Sequence, residues 1–361
     1  MNNVRPVLTP DHPSLEELGS KLCQDADAPM AESQWPADSL RLCGDYGVFR
    51  WFLPRAWGGF EWSDQDLIRG YLRLSAASLT TAFIITQRSS ACRWLVAGDS
   101  DAARDRWLPG LASGELFATV GISHLTTSRR HLARPVLAVK ETQHGFLLDG
   151  LSPWVTGSRH ADVIVTGGVL PTGQQVLLAV PTDTPGVTVA APVALLALTG
   201  SQTGEVRFDQ VHVDKTMLLA GPAESVMTGR TGTGTGGLAT SALAVGVSSA
   251  AIEYLDHEAA NRVNLQAAAA SLREDLRALE TDLLALADGK PVCSNEDVRA
   301  RANSLALRST QATLTAAKGS GYVRGHPAGR WCREALFFLV WSCPQPVANA
   351  ALCELAGLSD D

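Results

Sequence analysis

The sequence predicts an α+β protein, mainly α, in which a helical N-terminal part, a central antiparallel β part and a C-terminal helical bundle follow one another along the chain. Three observations carry this. Helical texture runs from about residue 14 to 113, short β-branched runs divided by Gly, Pro and Asp turns fill about Phe117 to Leu219, and helical texture returns after a Gly/Thr link, Thr228 to Gly237. A chain of 361 residues with 45% hydrophobic and 19% charged residues is long enough for two or three cores, which argues against disorder.

The first helix is expected to open at Ser14, with Glu17 three residues on forming a capping box in which hydroxyl and carboxylate each satisfy a first-turn amide. Further helices are predicted over Ala37 to Tyr46, Ser63 to Ala77 and Asp101 to Ala112. Between them, Trp51 to Gly59 breaks the period with Pro54 and the Gly58, Gly59 pair and reads as a loop of fixed shape. Strands are predicted in Asp162 to Thr166, Gln175 to Val180 and Glu205 to Phe208. In the last part Leu272, Leu276, Leu279 and Leu283 recur at bundle spacing. The small residues of Ala239 to Ala251 allow close helix approach and read as too polar and interrupted for a membrane span.

Composition excludes several classes. The net charge is −7 and no Lys/Arg run supplies a phosphate-neutralising stripe, so no nucleic-acid partner is expected. The seven cysteines are an odd number and form no C-x-x-C pair or zinc spacing, so reduced thiols and no metal are expected. The N-terminal residues have no apolar signal stretch, and no run of about 18 apolar residues occurs, so a cytoplasmic protein without a membrane partner is expected. The Thr231 to Gly237 repeat precedes a helix but lacks the β-α-β unit and acidic residue of a dinucleotide fold.

Three stretches resemble the acyl-CoA dehydrogenase family, in its order and spacing. Leu53 and Pro54 with Gly58 and Gly59 look like its "VP…YGG" turn; Trp107 to Glu115 is similar to "LP.LA.GE"; and Leu148 to Gly150, Trp154 to Thr156 and Ala161 with Asp162 resemble "L.G.K.WIT….AD". The resemblance implies a helical domain over 1–114, a β-barrel-like domain over 115–222 and a four-helix bundle over 223–361. It implies FAD, with Ile122, Ser123, Trp154, Val155 and Thr156 at the flavin ring. It also implies Arg262, Gly319, Gly321 and Tyr322 at the nucleotide tail, and a homodimer or homotetramer that completes that tail site across subunits. An indole plane suits contact with a flavin ring, and a hydroxyl suits its polar edge.

The sequence also departs from the family. Its "TEP.AGSD" loop is replaced by Gly121 to Arg130, in which Arg129 and Arg130 are a potential phosphate grip. Only the arginine of "R..FG" survives, as Arg262, and Lys318 stands at the first glycine of "GG.GY". Pro327, Arg330, Arg333 and Glu334 follow the pattern "P..R..RD", which places Trp341 to Pro344 on "YEGT" and Ser342 where the family has its catalytic glutamate. The alternative base position falls on Gly236, Gly237 and Leu238. Removal of an α-proton needs a base of tuned pKa within reach, and a serine hydroxyl has no such range alone. His124 and His326 are candidate helpers, each with a structural alternative.

Three functions stay open at this level. The first is an FAD-dependent oxidoreductase acting on an acyl-CoA-like substrate with a non-standard base. The second is a monooxygenase on the same fold fed with reduced flavin, and the third is a non-catalytic descendant.

Overall fold

The computed structural model describes residues 5–27, 33–126, 135–227, 237–290 and 292–358. Arg129, Arg130 and the Gly/Thr link up to Gly236 lie outside these residues.

The chain begins with α1 (Ser14–Ala26), α2 (Ala37–Asp45), α3 (Asp64–Ala77), α4 (Leu79–Ala97) and α5 (Asp101–Ser113). Serine hydroxyls cap three of them, Ser63 accepting from Asp66 N at 3.1 Å, Ser78 from Thr81 N at 3.4 Å and Ser100 from Ala103 N at 3.0 Å. Each such cap is worth about 1 kcal/mol. The expected capping box at Ser14 does not form. The turn from Thr9 to His12 starts the helix early, so Ser14 is already buried inside it and its amide donates to His12 Nδ1 at 3.2 Å. Glu17 pairs with Lys21 instead, at 2.7 Å. The loop from Trp51 closes so tightly that a Cβ on Gly59 would lie 1.8 Å from the Leu53 carbonyl oxygen. α4 carries no amphipathic stripe, because most of its circumference is buried, which is why the sequence did not mark it as a separate helix.

The middle of the chain forms β1 (Ala118–Gly121), the short helix α6 (Ser123–Thr126), β2 (Leu137–Thr142), β3 (Gly145–Val155), β4 (Val163–Val169), β5 (Gln175–Pro181), β6 (Val187–Val189), β7 (Gly204–Asp214) and β8 (Leu218–Ala223). Their order in the sheet is β6-β7-β3-β2-β4-β5-β8, with β1 against β4. The expectation of a wholly antiparallel part needs correction. β4 runs parallel to β1, Ala118 opposite Val163, and meets β2 in a parallel bridge at Ala138 and Val169. The cause is a crossover, since the β2–β3 hairpin is inserted before the chain returns beside β1 in the same direction. Between Ser152 and Val155 the pairing of β3 with β7 shifts register in a bulge. A bulge re-aims the side chains around it: Trp154 stands outward, 40% exposed, while Val155 is fully buried.

The C-terminal part comprises α7 (Leu238–Ala260), α8 (Val263–Ala287), α9 (Asn295–Gly321), α10 (Pro327–Ala335), a 3-10 turn at Leu336–Leu339 and α11 (Gln345–Ala356). By length and composition α7 could cross a membrane, which corrects the reading of its stretch as too polar. Its surroundings decide otherwise: it is largely buried and packs against α3, α8 and α9 as the central helix of the bundle. A Cβ on Gly246 would meet Ser75 Oγ at 2.0 Å and the Leu72 carbonyl at 2.5 Å, so α7 and α3 touch through their backbones there. The leucine seam of α8 is buried throughout.

Two hydrophobic cores result. One joins α1, α2, α3 and the first half of α4 to the C-terminal helices; the other joins the end of α4 and α5 to the sheet. Because α4 belongs to both, it is the fixed wall along which the two meet.

Candidate functional site

A cavity of about 870 Å³ opens along that wall. Thr86, Gln87, Ser90 and Arg93, four half-buried residues of α4, face it, together with Asp64, Leu67, Ile68 and Tyr71 of α3. The sheet contributes Val120, Ile122, Ser123, Trp154 and Thr203, and the segment before β7 adds Leu195 to Leu198. From the C-terminal part come Gly237 to Thr240 at the start of α7 and the run Leu336 to Ser342 apart from the fully buried Phe338.

Polar atoms on this wall differ in what they are bonded to. Ser123 Oγ is buried and has no hydrogen-bond partner among the described residues. It starts α6 directly after β1, so the strand end holds it at the cavity beside Trp154. Tyr71 Oη and Ser89 Oγ lie 2.6 Å apart, and burial pushes the phenol up to about 12, so it stays protonated at neutral pH. Asp64, at the rim, is the cavity's carboxylate and lies 3.3 Å from Arg93. Among the described residues the wall carries no Glu and no His. Phe83, Phe337 and Trp341 form an aromatic cluster, with centroids 5.0, 4.7 and 5.3 Å apart.

The residues singled out from sequence separate into two places. Ile122, Ser123, Trp154 and Ser342 share the cavity. Val155 and Thr156 lie behind it, both buried; Thr156 Oγ1 is 3.0 Å from Thr203 Oγ1, and its carbonyl accepts from Thr119 Oγ1 at 2.7 Å. Arg262, Gly319, Gly321 and Tyr322 are not on the cavity wall. Arg262 pairs with Glu258 at 3.1 Å and donates to the Ala316 carbonyl at 2.6 Å, and Tyr322 is 87% exposed. Lys318 has φ 55° and ψ −147°, a backbone suited to glycine, and interrupts α9 there.

Neither candidate helper histidine reaches the site. His124 Nε2 is 2.7 Å from the Gly167 carbonyl, and burial lowers its pKa. His326 caps α10, its Nδ1 accepting from Ala328 N at 3.2 Å, with its ring edge-on to Tyr254. Sequence reasoning missed the α4 face and the aromatic cluster. A usable signal was present: Thr86, Ser90 and Arg93 recur at helical spacing within an otherwise buried helix, so their polar side chains need a reason to be there.

Comparison with known proteins agrees with this geometry. The acyl-CoA dehydrogenase N-terminal domain family matches residues 12–115. A "probable acyl-CoA dehydrogenase" of Bacillus subtilis (strain 168) is 24% identical over 361 aligned residues, spanning 91% of this chain and 93% of that one. The structure of the glutaryl-coenzyme A dehydrogenase glutaryl-CoA complex superposes with a TM-score of 0.80 at 18% identity, covering 96% of each chain. The chain belongs to the acyl-CoA dehydrogenase superfamily. The same superfamily resemblance extends to an isobutylamine N-hydroxylase of Streptomyces viridifaciens, 28% identical over 205 residues, 53% of this chain and 52% of that one.

Acyl-CoA dehydrogenase superfamily members are flavoprotein oxidoreductases, and the cavity residues fit a flavin ring. Ser123 offers a buried hydroxyl with no partner among the described residues, and Trp154 offers an indole face turned out by the bulge. The tail residues fit less well, because the Arg262 guanidinium is already balanced by a carboxylate.

Proposed function

We propose that this chain is a flavin-dependent oxidoreductase that oxygenates a largely apolar substrate instead of removing an α-proton from an acyl-CoA. The observation that carries this reading is the cavity wall, which among the described residues has no glutamate or histidine and whose carboxylate, Asp64, faces Arg93 at 3.3 Å. Proton abstraction next to a thioester needs a positioned base, and Ser342 stands where the superfamily keeps it. Oxygenation has no such requirement. It consumes a reduced flavin and dioxygen, delivering one oxygen atom to the substrate and one to water.

The chain's own residues would act as follows. Trp154 and Ser123 hold the flavin ring, with Ile122 beside them and Val155 and Thr156 packed behind. Arg262, Gly319, Gly321 and Tyr322, where the superfamily pattern would put an FAD tail in a dimer, contribute little here, because the Arg262 guanidinium is already held by Glu258 and the Ala316 carbonyl. Bound there, a reduced flavin supplies the electrons that activate dioxygen. Phe83, Phe337 and Trp341 offer aromatic faces to an aromatic or aliphatic group, and the Tyr71–Ser89 pair can orient one polar atom of the substrate. The N-hydroxylase relative supports this chemistry.

Dehydrogenation of an acyl-CoA-like substrate is the second reading. The overall likeness to acyl-CoA dehydrogenases favours it, and it requires Asp64 as the displaced base. The test is anaerobic: the protein with FAD is mixed with acyl-CoA thioesters and the visible spectrum is followed. The oxygenation reading expects no bleaching. Bleaching that is lost in Asp64→Asn would establish the dehydrogenase.

A further inference from the structure

Arg299 on α9 is fully buried and does not touch the cavity. Its Nε donates to Asn303 Oδ1 at 2.9 Å and its Nη2 to the Trp341 carbonyl at 2.9 Å, while Nη1 has no partner among the described residues. Asn303, also buried, extends the contact by donating Nδ2 to the Phe338 carbonyl at 2.9 Å. Among the described residues no carboxylate pairs with the guanidinium. Burial lowers its pKa to about 10, so it is still charged at neutral pH. A buried cation without a counter-ion is costly, so a folded chain retains it where its hydrogen bonds hold something in place.

What it holds is the run that ends in Ser342. Both acceptors are carbonyls at the C-terminal end of helical turns, where no following amide satisfies them. The Trp341 carbonyl belongs to the peptide plane that joins Trp341 to Ser342, and Ser342 has φ 44°, a left-handed backbone uncommon for serine. Fixing that plane fixes how the Trp341 ring and the Ser342 hydroxyl meet the cavity. Trp341 in turn stacks on Phe337 and meets Phe83 edge-on.

We propose that Arg299 and Asn303 form a positioning pair that holds residues 337–342 as the substrate-facing wall of the cavity. Neither residue touches substrate; both act through the backbone of that run. The description of the wall as substrate-facing rests on the proposed function, whereas the clamp itself does not.

Hydrogen exchange read by mass spectrometry separates the two. In Arg299→Met and Asn303→Leu, amides of residues 336–343 should exchange at least about tenfold faster, while those of α7 stay within about twofold. Arg299→Lys, which can still reach the Trp341 carbonyl, should restore part of the protection. Unchanged exchange at 336–343, or equal acceleration in α7, would overturn the proposal, the second because it reports only global stability. If Arg299→Met does not fold, Asn303→Leu decides, since it keeps the arginine and removes the Phe338 bond. Calorimetric titration with indole as a probe adds the functional arm. Weaker indole binding in the variants confirms the wall as substrate-facing; equal binding alongside local loosening would keep the clamp and overturn its link to the substrate wall.

Discussion

At the ring end of the site, Ser123 keeps a buried hydroxyl with no partner among the described residues and Trp154 projects from a bulge into the cavity. At the tail end, Arg262 has its guanidinium on Glu258 and on the Ala316 carbonyl, and Lys318 holds a left-handed backbone where the superfamily pattern has glycine. One end is shaped for a ligand that is not part of the chain; the other satisfies itself. A phosphate placed near Arg262 would also face the Glu258 carboxylate, a like-charge contact that offsets part of the arginine's attraction. The difference teaches that membership in a superfamily does not carry each half of a cofactor site with equal force.

Breaking the ring end should give the largest effect. Stacking of a planar heterocycle on an aromatic side chain is worth about 1–3 kcal/mol, so Trp154→Ala should weaken flavin binding by roughly 5- to 150-fold. Ser123→Ala, which removes one neutral hydrogen bond, should cost less, about two- to tenfold. Both are checked by fluorescence titration with FAD, and Trp154→Ala should leave the melting temperature almost unchanged because the side chain is 40% exposed. Equal affinities in wild type and Trp154→Ala would remove the ring-end assignment.

A smaller effect sharpens the comparison from just behind the ring. His124 follows Ser123, and burial holds its pKa below the ordinary 6.5, against the opposing bond to the Gly167 carbonyl. With the folded pKa below the unfolded one, the unfolded chain takes up a proton first as pH falls. Stability contributed by the neutral imidazole is therefore present above about pH 6.5 and is lost below it. Thermal melts from pH 7 to pH 5 should fall less steeply in His124→Gln than in wild type. Parallel slopes would show that His124 is not held neutral.

Much of the fold was legible because its signals are local. The helix starts near Ser63 and Asp101 have serine caps, the loop at Gly59 has no room for a Cβ, and the α8 seam has its period written in leucines. The parts that were not legible depend on partners distant in the chain. The Ser14 cap lost to His12, the parallel β1–β4 pair arises from an inserted hairpin, and α4 shows no stripe because both cores bury it. The site divided along the same line. Motifs placed Ser123, Trp154 and Ser342 in one cavity, yet no motif encodes the aromatic cluster of Phe83, Phe337 and Trp341, which joins residues over 250 positions apart.

The most direct test of the contrast between the two ends is a side-by-side titration of the purified protein with FAD and FMN, each oxidised and reduced. Recognition through the ring alone predicts dissociation constants for FAD and FMN within about threefold of each other in either redox state. FAD binding about a hundredfold or more tighter than FMN would contradict the account, because it would show Arg262 and its neighbours working as a nucleotide site.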